Sequence, residues 1–238
     1  MNFPRHIEPE WLDDLPAHDP RAQRSRRDLS RINGWMGQVG IMAGLLRNHY
    51  GSEKPRRLLE IGAGDGTFML RLALRLAPVW PAVSVTLLDR QDIVSNRTRE
   101  ASGDLQWKAE TAVFDIFSFL ETPSLPEFDI VIANLFLHHF SQEQLALLLA
   151  RLARLTKLFV ACEPRRSTVP MIGSRLLWAI GCNDVSRHDA AISVRAGFSG
   201  TGLSSLWPDR THWDLHEHAA GLFTHCFVAN SAARGAKT

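Results

Sequence analysis

Acids and glycines at close spacing are the first residues in this chain whose types could do chemistry. In "LLEIGAGDGTF", residues 58–68, an apolar run closes on Glu60, and Gly62, Gly64 and Gly66 follow with Asp65 among them. Glycines there let a backbone turn tightly and approach a ligand that side chains would hold off. A Walker-type phosphate loop is excluded, because no lysine followed by serine or threonine succeeds the glycines. Glu60 and Asp65 would repel a pyrophosphate packed on the turn, so a ligand with an amine or hydroxyls suits better. Asp89 ends "VSVTLLD", a position from which a carboxylate can accept both hydroxyls of a ribose. Asp115, between Phe114 and Ile116, is placed to take the amino group of an adenine. Each acid also has an ordinary reading: solvation for Asp65 and Asp115, a helix N-cap for Asp89.

Such residues act together only if strands and helices bring them to one edge. "RLLEI" at 57–61, "VSVTLLD" at 83–89, "LQWKAETA" at 105–112, "FDIVIANLF" at 128–136 and "KLFVAC" at 157–162 read as strands. A helix is expected from Thr67 to Ala77, and another opens at Ser141 with Gln144 completing a capping box. The alternation predicts an α/β fold with a mainly parallel sheet and helices on both faces. "HWDLHEHAAGLFTHCFVAN" predicts an antiparallel hairpin at one sheet edge. Ahead of the sheet, residues 1–50 read as an irregular arm anchored at Trp11 and Leu12, then a helical cover starting at Asp19-Pro20. Its stripe, Leu29, Ile32, Met36, Val39, Ala43 and Leu46, reads as one helix weakened by Gly34, Gly37 and Gly40. Residues 51–238 form the main domain, with 167–200 as a helical and loop insertion on the substrate side.

Composition narrows the classes. The chain has 238 residues, 45% hydrophobic and 22% charged, with a formal charge of +2, which fits one soluble globular core. Cys162, Cys182 and Cys226 are too scattered for a zinc knuckle or a disulfide framework and read as buried thiols in a reducing cytoplasm. Nothing has the apolar length of a membrane span, so integral membrane association is not expected. The arginines of "RAQRSRR", residues 21–27, form one local basic run without a counterpart elsewhere, which makes nucleic acid an unfavoured partner.

At the glycine turn the sequence resembles the class I S-adenosylmethionine-dependent methyltransferases, whose first motif has the form E/DxGxGxG. The resemblance implies a seven-stranded Rossmann-like sheet with a C-terminal antiparallel hairpin, and S-adenosylmethionine as cofactor. It implies that Gly62, Ala63, Gly64 and Asp65 lie beside the methionine portion with Glu60 near its amino end. Asp89 with Arg90 would hold the ribose, Asp115 and Ile116 would face adenine, and Asn134 and Leu135 would flank the methionine moiety. More narrowly, "ANLFLHHF" at 133–140, "RHD" at 187–189, "SVRAGF" at 193–198 and "RIN" at 31–33 resemble the bacterial small-molecule, ubiquinone/menaquinone-methyltransferase-like branch. In "ANLFLHH" the fourth strand does not lead into an asparagine or aspartate followed by two prolines and an aromatic, as expected of many enzymes that methylate amino groups of bases or glutamine.

Methyl transfer to a phenol or enol needs a base, and histidine titrates near working pH. The candidates are His188 beside Asp189 in an expected loop, then His139 and His138 after the fourth strand. Neighbouring histidines are not expected to point the same way in regular structure. Glu163 and Arg165 follow the fifth strand, where they could position a polar acceptor. Trp35, Met36 and Trp178 supply apolar surface for a hydrophobic or aromatic acceptor. His216, His218 and His225 do not form a recognised ligand set, and no metal is expected. A homodimer is open, though nothing in the sequence specifies it. The competing readings are C-methylation, nucleic-acid methylation, an NAD-dependent oxidoreductase, and a scaffold that binds S-adenosylmethionine without turnover.

Overall fold

Apolar runs bounded by glycine, proline and acidic turns become the strands of a seven-stranded sheet in the computed structural model, which describes residues 3–16, 18–51 and 53–231. The strands are β1 (Arg57–Ile61), β2 (Val83–Asp89), β3 (Trp107–Val113), β4 (Phe128–Asn134), β5 (Thr156–Pro164), β6 (Asp214–Ala220) and β7 (Thr224–Asn230). Their order is β3-β2-β1-β4-β5-β7-β6. The first five pair in parallel, and β7 runs antiparallel to both β5 and β6. This is the expected α/β architecture with its closing hairpin.

Helices cover both faces because the central strands are apolar on both. On one side Leu58, Val85, Ile130 and Val160 meet Met42 and Leu46 of α3 (Gln38–His49) and Leu72 and Leu76 of α4 (Thr67–Leu76). On the other, Leu59, Val131, Phe159 and Ala161 meet the leucine stripe of α7 (Gln142–Leu152). The Ser141 and Gln144 capping box starts α7 as expected. The chain leaves β1 toward β2 on one side while β4 lies on the other. The connections at their C-terminal ends therefore diverge and open a crevice, the usual ligand position in such sheets.

Two stretches depart from expectation. The stripe from Leu29 to Leu46 is two helices, α2 (Pro20–Trp35) and α3, because Gly37 takes φ 69° and turns the chain between them. The turn-rich stretch around "RHD" is a thirteen-residue helix, α9 (Asp184–Ala196), capped by the Asn183 side chain on the Ser186 amide. Its buried stripe mixes Val185 and Ile192 with Ser186 and Asp189, so an apolar period alone does not reveal it.

Polar contacts stitch α2 to α9 across the crevice. Asp28, buried, accepts the Asn183 amide at 2.9 Å and the Ser186 hydroxyl at 3.3 Å, and pairs with Arg31 at 3.3 Å. Asn183 donates to the Arg21 carbonyl at 2.9 Å. Replacing Asp28 takes the partner from the half-buried Asn183 amide and the buried Ser186 hydroxyl, a loss of about 1–3 kcal/mol. Asp28→Ala is therefore expected to lower the urea midpoint and to speed amide exchange in α2 and α9 while β1 and β4 keep their protection.

Candidate active site

The crevice begins with the glycine turn. Gly62, Gly64 and Gly66 all take positive φ, between 55° and 73°, a region that side chains resist. They differ in what they face. A Cβ on Gly62 would lie 2.3 Å from the Phe136 ring, so this glycine makes room for an aromatic residue of the chain itself. Gly64 faces open space. Its amide donates to Asp89 Oδ2 at 2.8 Å, and the Gln91 amide donates to Asp89 Oδ1 at 2.9 Å. Asp89 therefore ties the first turn to the end of β2. Asp65 accepts the Thr67 amide at 2.9 Å at the start of α4, and Asp115 caps the short helix α6 (Ile116–Leu120) through Oδ1.

Across the crevice, β4 ends at Asn134, and Leu135 follows at φ 54°, an uncommon state for a leucine that its amide holds by bonding the Cys162 carbonyl at 2.9 Å. Between these turns lies a cavity of about 850 Å³, within the range of small-molecule sites. Glu60, Gly62, Ala63, Gly64, Asp65, Asp89, Arg90, Asp115, Ile116, Asn134 and Leu135 all line it. Trp35 and Met36 line it from the helical cover.

Residues 59–157 match the family model described as a methyltransferase domain. That stretch, from β1 to the start of β5, carries a methyltransferase domain. No curated protein matches it. Solved structures with the same fold include the plantazolicin methyltransferase BpumL in complex with SAH, at TM-score 0.63 and 13% identity over 90% of this chain and 91% of that one. An O-methyltransferase family protein from Burkholderia thailandensis aligns at TM-score 0.58 and 18% identity, covering 90% of this chain and 60% of that one. The mitomycin 7-O-methyltransferase MmcR aligns at 0.59 and 17%, covering 92% and 60%.

The residues of the crevice fit S-adenosylmethionine, the cofactor that the resemblance implies. Glu60 Oε2 and Asn134 Oδ1 are buried side-chain atoms in the crevice that meet no hydrogen-bond partner among the described residues, and such atoms call for an explanation. Burial, joined by the charges of Asp65 and Asp89, pushes the Glu60 carboxyl well above its usual range. A positively charged group would relieve that strain, and S-adenosylmethionine carries an ammonium and a sulfonium without any phosphate. Phe114 and Ile116 offer apolar surface beside Asp115 for a flat base.

The histidines divide sharply. His138 is buried, with Nδ1 2.8 Å from Glu163 Oε2 and Nε2 3.3 Å from Glu10 Oε1. Burial alone would lower its pKa, but hydrogen bonds and charge from the two carboxylates outweigh it and raise the pKa to about 9. Glu10, which also accepts from Ser193, is held down at about 2 by His138 against its own burial. His138 is therefore an imidazolium between two carboxylates and already holds the proton that a base must accept. His139 is its opposite: burial, and then the charge of His138, lower its pKa. It lines the cavity with its side chain 26% exposed and Nδ1 3.5 Å from Asp13 Oδ2. The two rings lie 4.2 Å apart in a 3₁₀ turn, Leu137–His139, closer in direction than a regular helix or strand would allow.

Four sequence expectations move. His188 belongs to α9, stacks on Trp11 at 3.7 Å, bonds Asp189 at 3.0 Å and lies outside the large cavity, in a shallow groove. Trp178 lines that same groove. Glu163 does not line the cavity: fully buried, it accepts the amides of Phe136 and Leu137 at 3.0 and 2.8 Å as well as His138. Arg165 reaches the Gly221 carbonyl of the hairpin at 3.2 Å. His225 pairs with Glu217 at 2.7 Å, apart from His216, which pairs with Asp214. The group close enough to hold a metal among the described residues is Glu10, His138 and His139, where the proton on His138 already balances charge. Glu10 and Asp13 were missed by sequence reasoning, since acids in a proline-rich opening read as solvated.

The buried ion triad gives the stability a pH signature. His138, raised from 6.5 to about 9, stabilises fully below pH 6.5, and that part is lost as pH rises through 9. Glu10, lowered from 4.5 to about 2, stabilises above pH 4.5 and loses that part toward 2. Unfolding free energies measured by urea between pH 6.5 and 9 are expected to fall by about 3 kcal/mol more in the wild type than in His138→Gln. Parallel curves would refute the protonation assigned to His138.

Proposed function

We propose that this protein transfers the methyl group of S-adenosylmethionine to a hydroxyl or enol oxygen of a hydrophobic or aromatic small molecule, with His139 as general base. The observation that carries this reading is a neutral imidazole in a largely apolar cavity that also holds the glycine turn, where the unpartnered Glu60 oxygen and the nearby Asp65 and Asp89 suit a cationic cofactor. Glu60 and Asn134 would hold the amino-acid end, the backbone at Gly62–Gly64 would run alongside it, Asp89 and Arg90 would hold the ribose, and Asp115 with Ile116 would hold the adenine. Leu135 would set the wall beside the methionine portion. When bound, the cofactor supplies an electrophilic methyl carbon and leaves as S-adenosylhomocysteine.

The chain's own task is alignment, dryness and removal of one proton. Asp13 sits beside His139 Nδ1 and favours a proton there, which leaves Nε2 as the atom that takes the acceptor proton. Positive His138 keeps its neighbour unprotonated before the reaction, and the carboxylates of Glu10 and Asp13 offset the charge that develops on His139. Trp35 and Met36 present apolar surface to the acceptor. Both the Burkholderia O-methyltransferase family protein and the mitomycin 7-O-methyltransferase are described as oxygen methylators, which supports this choice of atom.

Assay of the purified protein with S-adenosylmethionine across phenols, enols and amines is expected to give S-adenosylhomocysteine with the oxygen acceptors. His139→Ala should lower kcat by about 10²–10⁴ while leaving cofactor affinity intact. Asp89→Asn should weaken cofactor binding by about tenfold or more. Because the His139 pKa is lowered, wild-type kcat should hold steady to pH values below the ordinary histidine range and then fall, and His139→Ala should lack that fall. Wild-type turnover in His139→Ala would reject the base. Turnover with amines only would reject the oxygen acceptor, and saturable binding without product for any acceptor would leave a scaffold.

A further inference from the structure

Helix α8 (Thr168–Arg175) and the 3₁₀ turn after it, Leu177–Ile180, form the wall between the cavity and solvent. Pro170, Gly173, Ser174 and Leu177 face the cavity. The opposite side is also apolar: Val169, Ile172 and Leu176 are about half exposed, and Trp178 is 64% exposed. Leu222 of the hairpin turn joins them, because its neighbour Phe223 packs against Gly173. A helix that carries apolar side chains on both its cavity side and its outer side has an apolar face left over for lipid or a partner. Exposed apolar side chains in one continuous segment mark a surface that meets another phase or partner.

Charge around the segment selects among partners. Arg175 lies within it, and Arg187 lines the groove that also holds Trp178. From α2, Arg24 reaches the Gly181 carbonyl at 3.1 Å and Arg31 reaches the Ile180 carbonyl at 2.9 Å, so both guanidinium groups are held at the edge of the same patch. This gives the basic run of the N-terminal helix a place: it borders the apolar face. A two-fold dimer through this face would bring arginines toward their own copies, a like-charge arrangement that costs binding. An anionic lipid surface offers phosphates to the arginines and an apolar layer to Val169, Ile172, Leu176 and Trp178.

We propose that the outer face of α8 and its following turn docks the protein on an anionic lipid bilayer, placing the wall of the cavity against the membrane surface. The association is peripheral, since no helix among the described residues is long and apolar enough to cross a membrane. Membrane docking stands on the patch itself. Only its use, letting a lipophilic acceptor pass from the bilayer into the cavity, rests on the methyl-transfer reading above.

The test is sedimentation of the full chain, without cofactor or acceptor, with vesicles of phosphatidylcholine alone and of equal parts phosphatidylcholine and phosphatidylglycerol. Binding is expected to the anionic vesicles, weakened by high salt and by about fivefold for each of Arg175→Gln and Arg187→Gln. An Ile172→Ser, Leu176→Ser, Trp178→Ser variant should lose it. The single Trp178→Ser variant, at an exposed position where folding is preserved, should weaken it, with circular dichroism matching the wild type. Equal sedimentation with and without vesicles would overturn the proposal. So would anionic binding unchanged in these variants, or a dimer in solution that the serine variants dissociate. Because no turnover is measured, failure of the oxygen-acceptor assay leaves this result standing, and the reverse also holds.

Discussion

A proton held on His138 between Glu10 and Glu163 is the interaction on which the site depends. Each partner comes from a different part of the chain: the N-terminal segment, the turn after β4, and the end of β5. Glu163 also takes the amides of Phe136 and Leu137, so it shapes the turn that carries both histidines. Removing one member would leave a buried charge without its counterpart, a loss of about 3–5 kcal/mol. Arg5 adds to the same closure, bonding the carbonyls of His138, Phe140 and Ala196. The stretch from Ile7 to Asp13 is thus part of the site's wall, even though it adds no strand to the sheet.

The same proton has a chemical consequence. Two adjacent imidazoles 4.2 Å apart repel a second positive charge, so protonating His138 leaves His139 neutral. The same cavity holds Glu60, Asp65 and Asp89, gathered around the glycine turn. The cavity therefore combines acids that favour a cation with a free imidazole nitrogen. Methyl transfer from a cationic donor to an acidic hydroxyl uses both.

How much of this could be read from the residues follows from how local each feature is. The glycine turn, the strand ends that bear Asp89 and Asn134, the α7 capping box and the hairpin depend on neighbours within a few positions, and they were legible. The division of the cover at Gly37 depended on which of Gly34, Gly37 and Gly40 would take a positive φ, and periodicity does not choose. Helix α9 was hidden because Ser186 and Asp189 fill buried positions through bonds to Ser25 and to the amides of Trp11 and Leu12, far away in sequence. Glu10 and His138 are 128 positions apart, and only folding could reveal that this acid is buried. Gly62 taught the opposite lesson: its motif was plain, but its missing side chain accommodates Phe136.

The central claim is that neighbouring histidines carry different protonation states for different tasks. Ring nitrogen shifts of His138 and His139, read by NMR in protein labelled with ¹⁵N at histidine and assigned with single His→Gln variants, test it directly at neutral pH. The account predicts that both nitrogens of His138 carry protons while His139 has one protonated nitrogen and one free. A neutral His138, or a His139 protonated on both nitrogens at that pH, would contradict it.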